Sequence, residues 1–182
     1  MGNNDVCRSA TIDDLKILAI SLNSNNVDYL LIGGYSLFAH GYIRATTDID
    51  ILVPSTLDCG EKVKNALLVL PDQAAKDIDP EWFIDVDSDD HGNIRVADEF
   101  VVDVMFSACG ETFETLKKYM QIINIDGVAI NTVNLEGLLK TKQTTREKDI
   151  SDRHIIERAI HEINKRRTHE KTSSQKNKSP GM

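Results

Sequence analysis

The chain has 182 residues, of which 41% are hydrophobic, and its formal net charge is −8 at pH 7. This length is typical of one domain with its own core, and no apolar run approaches the roughly 20 residues of a membrane-spanning helix. The negative charge argues against simple non-specific binding of nucleic acid. The N-terminal residues lack the basic and apolar regions of a signal peptide, so we expect a cytoplasmic protein with no membrane contact.

The charge is unevenly distributed along the chain. From residue 137 to the C-terminus there are 12 Lys and Arg against 6 Asp and Glu, whereas the preceding residues are strongly acidic. The acidic part could bind a metal ion and the basic part a polyanion, or the two parts could simply balance each other. The three cysteines lie far apart and match neither a disulfide framework nor a zinc site.

The first half of the chain alternates between helical and extended patterns. Thr11 is a candidate N-cap, followed by apolar residues at helical spacing. The predicted elements are a helix ending in the polar run at 23–26, a strand at 28–33, a short helix at 35–40, a strand at 48–53 and a helix at 56–70.

The second half begins with an acidic, irregular segment at 71–90 and ends in helices. Asp126-Gly127 is a strong two-residue hairpin signal, and Asn134 is a candidate N-cap. The predicted elements are a turn at 89–93, strands at 94–96 and 99–106, a helix at 111–120, hairpin strands at 122–125 and 128–130, and helices at 134–145 and 148–167.

These elements predict an α/β (α+β) fold in which a small mixed sheet is flanked by helices. We expect an α/β core at 1–133, a helical C-terminal segment at 134–167 packed on that core, and a polar, disordered tail at 168–182.

Three carboxylates interrupt apolar strands. Asp48 and Asp50 are two residues apart and therefore point to the same face of their strand. Asp103 lies inside the apolar run at 100–106, where an unpaired charge is costly. If its strand lies beside that of Asp48 and Asp50, the three can ligate Mg²⁺, or alternatively Mn²⁺. Otherwise Asp103 can pair with an arginine such as Arg44 or Arg95.

Gly33-Gly34 follows the first strand and precedes the short helix. Glycines allow the backbone to approach a phosphate closely, and a helix start offers free N–H groups. Ser36 lies in the first turn and can add a hydroxyl donor. The turn is therefore a candidate phosphate site, with an ordinary tight turn as the alternative.

The order of these motifs resembles the nucleotidyltransferase fold of the DNA polymerase β superfamily. It is most similar to small bacterial proteins related to AbiEii and to minimal nucleotidyltransferase toxins. Gly34 and Asp48 are separated by 13 residues, within the usual range of that superfamily. The matching residues are Gly33, Gly34, Ala39, Gly41, Arg44, Thr46 or Thr47, Asp48, Ile49, Asp50, Asp103 and Val104.

A second motif near the C-terminus extends the resemblance over roughly residues 28–160. Lys142, or alternatively Lys140, is followed by the segment 146–149, which reads Arg-Glu-Lys-Asp, and then by Asp152. This is similar to the Lys…Arg-x-Lys-Asp…Asp signature of those proteins.

The resemblance implies a role for each matching residue. Asp48, Asp50 and Asp103 would be metal ligands and catalytic residues, and Asp103 would help to deprotonate the attacking hydroxyl. The implied nucleotide-binding residues are Gly33, Gly34, Ser36, Arg44, Lys142 and Arg146. Arg44 could instead brace its loop or pair with an aspartate, Lys142 and Arg146 could be a solvated helix end, and Asp149 would orient the basic groups or cap the last helix.

The resemblance also implies an activity. The protein would transfer NMP from an NTP to a hydroxyl of RNA or protein, with a role as a toxin restrained by an antitoxin partner or in phage defence. Two alternatives remain: a catalytically silent protein of the same fold that binds nucleotide and metal, and a small-molecule (antibiotic) nucleotidyltransferase. The basic run at 165–167 could contact RNA or be a solvated helix end.

Overall fold

The computed structural model describes residues 7–84 and 92–176, with side chains through residue 168. Short 3-10 turns lie at Ala74–Asp77, Pro80–Phe83 and Lys117–Tyr119. The helices and strands, in chain order, are α1 (Ile12–Ser24), β1 (Leu30–Ile32), α2 (Gly33–Ala39), β2 (Asp48–Leu52), α3 (Leu57–Leu67), β3 (Asn93–Ala97), β4 (Val101–Met105), β5 (Ser107–Ala108), β6 (Glu111–Thr112), α4 (Phe113–Leu116), β7 (Met120–Ile125), β8 (Val128–Val133), α5 (Leu135–Lys140) and α6 (Glu147–Lys176).

Six strands form one mixed sheet in the order β3-β4-β2-β1-β8-β7. β2 runs parallel to β4, and β1 runs parallel to β8, whereas the other neighbours are antiparallel. β5 and β6 form a separate two-stranded ribbon. This architecture confirms the predicted α/β class, with a mixed sheet flanked by helices.

The sheet has a hydrophobic cluster on each face because its strands alternate side chains between the two faces. Ile49 and Ile51 of β2 point to the cluster that includes α1 and α3. Leu52 belongs to the second cluster, which includes residues of α2, α4, α5 and α6. Asp48 and Asp50 alternate with Ile49 and Ile51 and therefore lie on the second face.

Local signals were sufficient to place several element ends. Thr11 caps α1 and forms a capping box with Asp14, and Asn134 caps α5 by accepting from the Gly137 N–H. Asp126 and Gly127 both have positive φ, at 51° and 87°, as the predicted two-residue hairpin between β7 and β8 requires. These three predictions are confirmed.

Several predicted helices have different limits in the structure. The helix predicted at 134–145 is α5, which ends at Lys140, and the one predicted at 35–40 is α2, which begins at Gly33. The predicted helix at 111–120 is instead β6, the single turn of α4, a 3-10 turn and the start of β7. Met120 pairs with Val133, so strand pairing outweighs the local helical spacing. The helix predicted to end at residue 167 continues to Lys176, because no Gly or Pro interrupts the sequence before Pro180.

Part of the predicted turn at 89–93 and the last residues of the predicted tail, 177–182, lie outside the described residues. The predicted division at residue 133 stays a prediction. Among the described helices, none is both long enough and apolar enough to cross a lipid bilayer.

A buried carboxylate fixes the turn between β3 and β4. Asp98 is only 6% exposed. Its oxygens accept hydrogen bonds from the backbone N–H groups of Asp72 and Ala74, both at 2.9 Å, and of Glu99 at 2.8 Å. The carboxylate therefore ties the β3–β4 turn to the segment that follows α3.

We expect Asp98→Ala to lower the free energy of unfolding by about 2–3 kcal/mol, because three backbone donors lose their acceptor. Asp79→Ala is the matched control, since Asp79 is exposed and caps one 3-10 turn through the Glu81 N–H. It should cost about 1 kcal/mol or less. Urea unfolding measures both, and equal losses would contradict the bracing role of Asp98.

Candidate functional site

Three carboxylates lie on one face of the sheet at its centre. Asp50 of β2 is directly opposite Asp103 of β4 in the parallel register, and Asp48 is opposite Val101. Asp48 lies two residues before Asp50 and therefore shares its face. The condition that the sequence left open is met, because the strand of Asp103 is the neighbour of the strand of Asp48 and Asp50.

Arg95 supplies the positive charge for two of these carboxylates. It lies on β3 opposite Asp103. Its guanidinium contacts Asp103 Oδ2 at 2.8 Å and Asp48 Oδ2 at 3.4 Å, and Asn93 Nδ2 lies 3.5 Å from Asp103 Oδ1. Of the two arginines that the sequence offered as partners for Asp103, the structure selects Arg95.

Asp50 differs from the other two carboxylates. Among the described residues, no group donates a hydrogen bond or forms an ion pair with its carboxylate. Burial, together with the negative charges of Asp103 and Asp48, raises its pKa to about 7, although Lys142 and Arg44 act in the opposite direction. Asp50 is thus a partly buried carboxylate with no direct counter-ion among the described residues.

The carboxylate of Asp103 is also perturbed. Burial is the main cause that raises its pKa, and the charge of Asp48 adds to this effect. The ion pair and hydrogen bond with Arg95 oppose the increase. The sheet therefore holds three carboxylates close together at a net electrostatic cost.

The glycine turn packs directly against this acidic group. A Cβ atom on Gly33 would lie 1.9 Å from Asp50 Oδ2, and Gly33 has a φ of +68° that favours glycine. A Cβ atom on Gly34 would lie 2.4 Å from an Arg44 guanidinium nitrogen. Both glycines are therefore needed for the close approach of Asp50 and Arg44 to the start of α2.

A second charged cluster lies beside the first and joins the C-terminal helices to the sheet. Lys142 is 7% exposed, and its Nζ lies 3.2 Å from Asp149 Oδ1 and 3.1 Å from Asp152 Oδ2. Arg44 Nε lies 2.9 Å from Asp152 Oδ1. Two positive and two negative groups alternate in this cluster, so their charges balance.

The geometry of this second cluster is well defined by hydrogen bonds. Thr144 donates to Asp149, and one Arg153 nitrogen donates to the carbonyl oxygens of Lys142 and Thr144. Although burial favours the neutral acid, the Thr144 hydroxyl and the Lys142 ammonium hold the pKa of Asp149 below its usual value. Asp152 Oδ2 has no hydrogen-bond donor among the described residues, so its contact with Lys142 is purely Coulombic.

The remaining predicted site residues have other contacts or are exposed. Ser36 is fully buried, and its hydroxyl is 2.8 Å from that of Thr132. Arg146 is exposed just before α6. Lys140, the alternative to Lys142, pairs with Glu111 at 3.0 Å. The nucleotide-binding roles of Ser36 and Arg146 stay predictions.

Sequence reasoning treated Arg95 only as a structural partner and gave Asp152 no role of its own. The available signal for Arg95 was its position on the strand before that of Asp103. Side chains alternate between the two faces along a strand, so Arg95 can share the face of the carboxylates. For Asp152 the signal was its spacing of three residues from Asp149, which places both on one side of a helix.

The donor set suits a hard divalent cation, which prefers carboxylate oxygens. In the described residues, no three His, Cys, Asp or Glu side chains are placed to hold a metal ion. The guanidinium of Arg95 contacts two of the three carboxylates, Asp48 and Asp103. The third carboxylate, Asp50, is partly buried and has no ion-pair partner among the described residues.

Comparisons with known proteins give a likeness in fold. No protein-family model matches the chain, and no curated protein matches it. Among solved structures, it is similar to a Thermotoga maritima protein named there a "putative nucleotidyltransferase", with 14% identity, a TM-score of 0.47 and coverage of 92% of this chain and 93% of that one. A likeness at this level establishes no activity for this chain.

The pKa of Asp50 predicts a specific dependence of stability on pH. Asp50 releases its proton near pH 4 in the unfolded chain and near pH 7 in the fold. The folded protein binds this proton more tightly, so the wild type loses stability as pH rises from about 4 to about 7. Asp50→Asn removes that loss, on the order of 2–4 kcal/mol at pH 8.

Thermal unfolding in EDTA from pH 4.5 to 8.5 measures this effect. The Tm of Asp50→Asn minus that of the wild type should be small near pH 4.5 and increase by several degrees at pH 8. Asp58→Asn, an exposed carboxylate paired with Lys62, should show no such trend. A difference for Asp50→Asn that does not vary with pH would refute the raised pKa.

Lys142→Met should destabilise the protein by about 3–5 kcal/mol, because Asp149 and Asp152 would then be buried without their shared ammonium. Lys140→Met is the matched control: Lys140 is two residues away and pairs with Glu111 at the surface, so its loss should cost about 1 kcal/mol or less. Urea unfolding compares the two variants. Similar losses would show that the second cluster does not hold the C-terminal helices.

Proposed function

We propose that the protein is a nucleotidyltransferase that depends on a divalent cation. An acceptor hydroxyl would attack the α-phosphorus of a bound NTP. The bond from that phosphorus to the bridging oxygen of the β-phosphate would break, and pyrophosphate would leave. The supporting observation is that Asp48, Asp50 and Asp103 share one sheet face, with Asp50 opposite Asp103, against the Gly33-Gly34 turn.

The three carboxylates would bind the cation and assist the attack of the hydroxyl. Asp48, Asp50 and Asp103 would hold Mg²⁺ or Mn²⁺, and the bound cation would offset the charge on the phosphates and activate the hydroxyl. Asp103 would also help to deprotonate the attacking hydroxyl.

The glycine turn and the second charged cluster would receive the triphosphate. Gly33 and Gly34 place bare backbone next to Asp50, where a side chain would block the approach. Arg44 and Lys142 act electrostatically on Asp50 and would offset phosphate charge from the opposite side. Ser36 could reach a phosphate only by giving up its bond to Thr132.

The acceptor and the biological role follow from the sequence resemblance. We propose a hydroxyl of RNA or protein as the acceptor, and a toxin or phage-defence role in which an antitoxin partner restrains the activity. The exposed basic residues at 165–167 of α6 offer a surface for an anionic acceptor. Consumption of NTP agrees with the cytoplasmic location expected from the sequence.

The second candidate function uses the same site. The protein would bind nucleotide and metal there but would transfer no group. The specific observation in its favour is Arg95, which satisfies two of the three carboxylates without any cation. In that case Asp48 and Asp103 would be structural partners of an arginine, as Asp14 and Glu99 are of Arg8.

Transfer of label tests the two candidates. The protein is incubated with each α-³²P-labelled NTP, Mg²⁺ or Mn²⁺, and total RNA or cell protein, and the products are separated on denaturing gels. We expect label from one or more NTPs on RNA or on protein. Asp48→Ala/Asp50→Ala and Asp103→Asn should each reduce transfer at least about 100-fold, because the groups that stabilise the transition-state charge are lost.

The controls separate this reaction from others. Asp58→Ala removes an exposed carboxylate and should retain wild-type transfer. A γ-³²P label should not be transferred, since it leaves with pyrophosphate. Label transferred equally by the wild type and the aspartate variants would contradict the catalytic assignment. A thermal shift with NTP and Mg²⁺ but no transfer would favour the binding protein.

A further inference from the structure

We propose that Arg95 competes with the divalent cation for Asp48 and Asp103, and that the phosphates of the nucleotide draw Arg95 away from them. Arg95 would thus be a positioning residue that makes cation binding depend on nucleotide. This inference rests on the proposed function only for the identity of the anion. Its first half concerns the cation and the protein alone.

The competition follows from which oxygens are engaged. Arg95 contacts Oδ2 of Asp103 at 2.8 Å and Oδ2 of Asp48 at 3.4 Å, so one guanidinium holds an oxygen of each of two candidate ligands. A divalent cation shared with Asp50 would lie close to this fixed positive charge. Repulsion between the two cations disfavours simultaneous occupancy, so one must leave when the other binds.

Arg95 is able to leave because it is held from one side only. Its side chain is 54% exposed, whereas that of Asp103 is 10% exposed. An ion pair with such an exposed partner is weak, and the only ion-pair partners of Arg95 among the described residues are these two aspartates. The aspartates are fixed by their strands, so the arginine is the movable member.

The other basic groups near the carboxylates differ in this respect. The side chain of Lys142 is 9% exposed and lies between two aspartates, and that of Arg44 is 18% exposed and bound to Asp152. These groups provide fixed positive charge. Arg95 alone in this group bridges the candidate ligands themselves, so its departure releases them.

A nucleoside triphosphate offers Arg95 an alternative partner. Guanidinium groups bind phosphate oxygens in a bidentate fashion, and the proposed triphosphate would lie on the same face of the sheet. Asp50, which has no counter-ion among the described residues, is free to bind the incoming cation first. When the cation arrives with its nucleotide, Arg95 would then leave both aspartates and bind the phosphates.

The first test measures Mn²⁺ binding to the full-length protein without nucleotide, with the EPR signal of free Mn²⁺ as the readout. Arg95→Gln should bind Mn²⁺ about tenfold more tightly than the wild type. Arg8→Gln is the matched control, because Arg8 also bridges two carboxylates, Asp14 and Glu99, at another surface. It should change Mn²⁺ affinity less than twofold.

Thermal unfolding provides a second readout for the same variants. Arg95→Gln should have a lower Tm than the wild type in EDTA and should gain more in Tm on addition of Mn²⁺. Equal Mn²⁺ affinities and equal gains for the two proteins would overturn the competition. A cooperative thermal transition in EDTA shows that the Arg95→Gln variant is folded.

The second test concerns the phosphates. At saturating Mg²⁺ the competition is removed, and isothermal titration with a non-hydrolysable α,β-methylene NTP measures the remaining contact. Arg95→Gln should bind this analogue about five- to tenfold more weakly than the wild type. Equal affinities would overturn the transfer of Arg95 to the phosphates.

Asp50→Asn distinguishes a failure of this inference from a failure of the proposed function. If Mn²⁺ binds equally to the wild type and Arg95→Gln, and Asp50→Asn abolishes binding in both, the role of Arg95 is overturned while the cation site stands. If Arg95→Gln/Asp50→Asn binds Mn²⁺ as tightly as Arg95→Gln, the cation lies elsewhere, and both the inference and the proposed site are overturned.

Discussion

The parallel pairing of β2 with β4 is the constraint on which the candidate site depends. It places Asp50 opposite Asp103 and puts Asp48 on the same face, so three carboxylates are forced together in a partly desolvated place. The hydrophobic residues that alternate with them, such as Ile49 and Val102, are fully buried in the core on the opposite face. A register shift of one residue would exchange these two sets, at a large cost in burial.

The rest of the structure compensates for this concentration of negative charge in two ways. Arg95 pairs with Asp48 and Asp103, while Asp50 remains without a direct partner and has a pKa near 7. Lys142 and Arg44 contribute positive charge from a second cluster that also anchors the C-terminal helices through Asp152. The same interactions therefore join the C-terminal helices to the sheet and offset part of the negative charge on this face.

Much of the fold could be predicted because its signals are local. The Thr11 and Asn134 caps, the Asp126-Gly127 turn and the alternation of β2 each involve residues within a few positions of one another. The segment at 111–120 was harder because its helical spacing competes with pairing of Met120 to Val133, a contact between strands that local patterns do not encode. The extension of α6 to Lys176 shows that a polar composition does not by itself end a helix.

By itself, the sequence determined that Asp48 and Asp50 share a face, that Asp103 is an unusual charge in an apolar strand, and that two glycines follow the first strand. These are consequences of backbone periodicity and of residue chemistry, which need no knowledge of the fold. Only the tertiary structure decided that Arg95, and not Arg44, pairs with Asp103, that Arg44 and Lys142 share Asp152, and that Gly33 lies against Asp50. The reason is physical: which charges pair depends on strand order and register, and these are set by burial of the whole core.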